Sequence, residues 1–152
     1  MKKYCYLITA GLIVLMASAF TEQKANEGAG ESTIKLLKIN QSPCTTLTAK
    51  SVLKAQLAYR IADTAQSKYG FAVSIKFQST RAGMTFSDGR LGEVTVKVKQ
   101  DTLTLSYPMS AVRQNALLKR PITCYFYLHR NTAPGRSTVI AKTGPVIFQE
   151  CQ

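Results

Sequence analysis

Ser51 and Lys54 stand three residues apart, the S-x-x-K spacing in which a lysine amine can take the proton of a nucleophilic serine hydroxyl. Ser87-Asp88-Gly89 and Lys142-Thr143-Gly144 follow, in the order used by penicillin-recognising serine enzymes, though the first of these lacks the asparagine that chemistry uses. The spacing works only if the serine opens a helix, so that the lysine one turn later faces it. Here Leu53, Ala55, Leu57, Tyr59 and Ile61 alternate with Lys54, Gln56 and Arg60. That period of two makes the segment a strand and sends Ser51 and Lys54 to opposite faces. The chain is also too short for the two-part fold of those enzymes.

Other reactive groups are equally isolated. His129 is the only histidine, and Cys124, five residues earlier on the same predicted strand, projects to the other face. Asp63, Asp88, Glu93, Asp101 and Glu150 fall in predicted turns or at strand ends, and nothing selects two of them as an acid/base pair. Cys44, Cys124, Cys151 and His129 show no C-x₂-C or H-x₃-H spacing. The glycine-rich Thr80 to Gly92 lacks the Gly-Lys-Ser/Thr ending of a phosphate cradle and reads as a long loop, with Arg81, Phe86 and Arg90 as minor binding candidates. The sequence therefore predicts no catalytic residues, no metal and no cofactor.

Binding chemistry is better represented. Between Pro121 and Arg130, Ile122, Cys124, Phe126 and Leu128 alternate with Thr123, Tyr125, Tyr127 and His129. The first set is expected inward and the second outward. If the third, fourth and sixth predicted strands share a sheet, its outer face also carries Lys76, Lys97 and Lys99. Tyrosines flanked by lysines can stack on sugar rings or bases while the cations hold anionic groups. The candidate ligand-binding set is Lys76, Lys97, Lys99, Tyr125, Tyr127 and His129. It depends on register: a slip of one residue would bury the tyrosines.

The elements that must position this set are strands. Alternation predicts them at 34–40, 51–61, 70–79, 93–100, 102–107, 121–130, 137–142 and 145–150. Gln100-Asp101 is read as a tight turn, Asn131 to Arg136 as a hairpin loop, and Gly144-Pro145 as a break in the last arm. A helical turn fits Ser110 to Leu118. Seven or eight strands without a long helix predict an all-β, immunoglobulin-like or fibronectin-like antiparallel β-sandwich with Greek-key connections. The connection 108–120 is expected to cross from one sheet to the other.

The chain has 152 residues. Lys2 and Lys3, the apolar run Leu7 to Met16 and the small residues Ala17-Ser18-Ala19 have the layout of a secretory signal peptide, residues 1–19. Cys5 lies at the wrong end of that run for a lipid anchor, and no later run is long enough to span a membrane. Residues 20–33 read as a flexible linker and 34–152 as the β-sandwich domain. In an extracytoplasmic, oxidising location, secreted or periplasmic and bacterial in style, cysteines pair. The expected disulfide is Cys44–Cys151, with Cys124 buried and free.

Against 8 Asp+Glu the chain carries 20 Lys+Arg, for a net charge of +12, and three of the glutamates precede Thr33. The domain therefore attracts anionic partners: an anionic glycan, an envelope component or nucleic acid. The expected function is that of an exported, non-enzymatic binding or structural module, envelope-associated or adhesion-type. The alternative is a soluble binder of glycans or polyanions through the basic-aromatic sheet face.

Overall fold

The computed structural model describes residues 30–42, 44–88 and 91–149. Nearly all regular structure within them is antiparallel β. The strands are β1 (Thr33–Ile39), β2 (Val52–Arg60), β3 (Phe71–Gln78), β4 (Thr85–Phe86), β5 (Glu93–Val96), β6 (Gln100–Pro108), β7 (Ile122–Ala133), β8 (Arg136–Lys142) and β9 (Val146–Phe148). One short 3₁₀ turn, Met109–Ala111, follows β6. The predicted signal segment and most of the linker lie outside the described residues. Ser32 is already engaged, its Oγ accepting the Ala62 N–H at 3.0 Å.

Two sheets share one apolar core, an arrangement consistent with a β-sandwich. Sheet A has the order β1-β2-β6. In sheet B, β3 and β7 are central; β4 and β5 pair with one side of β3, and β8 and β9 with the far side of β7. The period-two pattern accounts for the inward sets. Leu53, Ala55, Leu57 and Tyr59 of β2 meet Leu105 and Tyr107 of β6, and these face Val73, Ile75, Phe77, Phe126 and Leu128 of sheet B in one buried cluster. Phe77 and Tyr107 pack across the layers with ring centroids 5.1 Å apart.

Placement of the third, fourth and sixth predicted strands in one sheet (here β3, β5 and β7) agrees with the structure. So does the passage between sheets over the connection from β6 to β7. Three local expectations differ. Gln100 and Asp101 are not a turn; they open β6 opposite Arg60 and Tyr59. The turn lies over residues 97–99, and it carries the chain from sheet B to sheet A instead of closing a hairpin. Val98 is consequently outside the strand and 52% exposed, not aligned with Val94 and Val96. Alternation continues through 97–99 in the sequence, but Tyr59 Oη takes the Val98 carbonyl and Ile61 N–H takes that of Lys99, drawing the segment toward sheet A. The helical turn expected over Ser110 to Leu118 is reduced to the 3₁₀ turn and successive tight turns. The strands number nine among the described residues because the two-residue β4, which alternation does not predict, joins the eight expected.

Cys124 is free and wholly buried, and Cys44 is disulfide-bonded. Its expected partner, Cys151, lies outside the described residues.

Candidate functional site

β7 supplies both faces of the candidate site's foundation. Cys124, Phe126 and Leu128 are fully buried in the core, which fixes the register and turns Tyr125, Tyr127 and His129 to the opposite side. There the three rings form a ladder. Tyr125 and Tyr127 have centroids 6.3 Å apart, and Tyr127 and His129 5.9 Å, all tilted. Both tyrosines are half-buried and offer ring surface to a ligand. Across the strand pair, Tyr125 stands beside Lys76, Tyr127 beside Ser74 and His129 beside Ala72.

His129 is not the surface residue its alternation predicts, for it is only 6% exposed. β7 continues to Ala133 and returns as β8, with register shifts between Leu128 and His129 and between Asn131 and Ala133. Such bulges bend a hairpin. Ser137 of β8 thereby reaches His129, its Oγ lying 3.4 Å from Nδ1, while Ser74 Oγ lies 2.7 Å from Nε2. Burial, with the nearby Lys76 charge, pushes the imidazole down to about 4. It is neutral at pH 7, with one ring nitrogen donating and the other accepting. Ser74 is 1% exposed, so this serine–imidazole pair has no approach for a substrate.

The lysines separate. Lys76 stays on the ring face, and its Nζ donates to Ser87 Oγ at 2.8 Å. Burial lowers its amine pKa, partly offset by the Glu93 carboxylate. Lys97 lies exposed in the turn after β5. Lys99 leaves the set altogether, pairing with Asp63 Oδ1 at 3.2 Å and donating to the Asp63 carbonyl at 3.1 Å. The strand that was to present Lys97 and Lys99 ends at Val96.

In their place the structure brings together residues that periodicity did not connect. Tyr69, Lys76, Glu93, Asn131, Arg136 and Ser137 line a cleft of about 490 Å³ next to the ring ladder. It offers cations, one carboxylate, an amide, a hydroxyl and a phenol ring, a set that can both donate to and accept from a polyhydroxylated ligand. The hairpin loop Asn131 to Arg136 was legible as a turn. That it folds over the sheet depends on the bulges, which leave no mark in the composition.

A second charged surface lies on the outside of sheet A. Lys35 pairs with Ala58, Lys38 with Gln56, and Lys54 and Arg60 lie on the same face of β2. The facing positions on β6 are Gln100, Thr102, Thr104 and Ser106, none of them acidic. Sheet A thus carries a cationic face of its own. The remaining sequence motifs are structural: Ser51 Oγ accepts the Thr48 N–H at 3.0 Å, and Thr143 Oγ1 accepts the Phe126 N–H at 3.1 Å. Among the described residues no three His, Cys, Asp or Glu side chains gather as metal ligands.

No protein-family model matches the chain, and neither a curated protein nor a solved structure shows significant similarity to it.

Proposed function

We propose that the chain is an exported, non-enzymatic binding module that holds carbohydrate on the outer face of sheet B. The observation that carries this reading is the Tyr125–Tyr127–His129 ladder bordering the polar cleft of Lys76, Glu93, Asn131, Arg136 and Ser137. Ring faces stack on the apolar faces of sugars, and mixed donors and acceptors take up their hydroxyls. Export is supported by the layout of the first nineteen residues. The domain's topology is proposed to be immunoglobulin-like, with β1, β2 and β6 as strands A, B and E and β3, β7 and β8/β9 as C, F and G. In that scheme β4 and β5 occupy the edge beside C that variable-type domains fill with an added strand.

A glycan array probed with the exported protein tests the proposal. Selected glycans are expected to bind, and Tyr127→Ala to weaken them by tenfold or more, about 1.4 kcal/mol. Binding that Tyr127→Ala and Lys76→Ala both leave intact refutes the site.

The stripe Lys35, Lys38, Lys54 and Arg60 favours a second reading, attachment to a linear polyanion such as an acidic polysaccharide. The stripe runs along β2 from residue 54 to residue 60, roughly 20 Å at strand rise, and has no acid on the opposed β6 positions.

A further inference from the structure

A third surface is independent of both sheet faces. At the end of the molecule where the β1–β2 connection, the entry to β7 and the exit of β9 meet, a cavity of about 310 Å³ opens between the sheets. This is near the lower end of the roughly 300–1,000 Å³ usual for small-molecule pockets. Leu47, Ile122 and Phe148 line it, 2%, 4% and 4% exposed and all members of the core cluster. Thr45, Thr46 and Gln149 add polar groups, and Arg113 and Arg120 supply two guanidinium groups. A hydrogen bond runs from Arg113 Nε to the Leu47 carbonyl at 2.9 Å. It pins that guanidinium at the cavity wall and uses one of its five donors. No carboxylate lies among the described lining residues.

A cavity with apolar lining and two cations, and with no carboxylate among its described lining residues, selects a particular class of guest. A neutral apolar molecule leaves the guanidinium groups unused, and a small inorganic anion leaves the apolar lining wet. A carboxylate on a short alkyl or aryl body satisfies both, because a guanidinium fork matches a carboxylate in two parallel hydrogen bonds. The disulfide at Cys44, one residue before Thr45, restrains one wall and lowers the ordering cost of binding. We propose that this inter-sheet cavity binds a small amphipathic carboxylate, its head on Arg113 and Arg120 and its body against Leu47, Ile122 and Phe148.

Amide chemical-shift titrations of the exported protein with octanoate, octanol and octylamine test this. Octanoate is expected to bind saturably, shifting Leu47, Ile122 and Phe148 and leaving Tyr125 and Tyr127 in place. Octanol and octylamine are expected to bind at least tenfold more weakly. Arg120→Glu changes an exposed residue whose side chain makes no hydrogen bond among the described residues, and it is expected to weaken octanoate at least tenfold. Lys97→Glu makes the same charge change in the exposed turn after β5 and is expected to stay within twofold of the parent. Octanol binding as tightly as octanoate, an Arg120→Glu protein binding like the parent, shifts centred elsewhere, or no saturation by about 10 mM overturns the proposal. None of these results bears on the glycan cleft, which has no lining residue in common with this cavity.

Discussion

His129 shows how a residue's environment decides its chemistry. Outside the protein an imidazole gains its proton near pH 6.5, whereas here burial and Lys76 hold it down to about 4. The folded state therefore binds fewer protons than the unfolded state between those values. This stabilisation is present above pH 6.5 and is lost as pH falls toward 4. Denaturant titrations at pH 7 and pH 4.5 are expected to differ by on the order of 2 kcal/mol from this group. His129→Gln is expected to flatten that slope while retaining a hydrogen bond to Ser74. The Cys124 thiol illustrates the same principle, for burial pushes it up to about 12 and leaves no thiolate to react. A thiol reagent is expected to label Cys124 only after denaturation. Peptide mapping without reduction is expected to recover the proposed Cys44–Cys151 pair. Closing a loop of about a hundred residues, that bond stabilises by up to ~4–5 kcal/mol on the chain-entropy account.

At the scale of elements, β5 begins under tight constraint. Gly92 has φ +88°, and a Cβ there would lie 2.5 Å from Tyr107 Cδ2 and 2.7 Å from Ile75 Cγ2. Its carbonyl also accepts the Ile75 N–H at 2.9 Å. Gly92→Ala is expected to cost more than about 2 kcal/mol, read from the midpoint of urea unfolding, because strain and overlap with buried rings act together. Nothing in the glycine-rich segment distinguishes Gly92 from Gly83 or Gly89 before the fold is known. Strands were legible because alternation is a local consequence of having one wet and one dry face: β2, β3 and β7 show it without interruption. Sheet membership was less legible. Val94, Val96 and Val98 alternate as one run, yet the chain leaves sheet B after Val96, and hydrogen bonds from Tyr59 and Ile61 decide the departure. Tyr125 and Tyr127 kept their predicted face because Cys124, Phe126 and Leu128 could not leave the core. Lys97 and Lys99 had no such anchor.

For the molecule as a whole, the two outer faces have different characters. Sheet B presents rings and a mixed cleft, and sheet A presents Lys35, Lys38, Lys54 and Arg60 among hydroxyl side chains. Polyanion attachment through sheet A is expected to be salt-sensitive, as counterion release requires. On a heparin column, Lys38→Glu with Lys54→Glu is expected to lower the eluting salt concentration substantially, and Tyr127→Ala to leave it unchanged. Both lysines are exposed, so stability should move by no more than about 0.5 kcal/mol per site. Equal elution of the parent and the double variant removes the sheet A reading.

The central place of β7 also sets the order in which the chain can become a protein during synthesis. β3 finds β5 early, but its long partner arrives only after β6 and the whole crossing connection have been made. β1 and β2 form a hairpin that waits for β6, and a two-stranded hairpin alone is marginal in water. A nascent chain ending before Ile122 thus exposes the inner faces of both sheets, with Val73, Ile75 and Phe77 lacking Phe126 and Leu128. A fragment ending at residue 121 is expected to bind a hydrophobic dye and to unfold without a cooperative transition. Until β7 to β9 have been made, the segment before them is expected to be prone to aggregation through these uncovered faces.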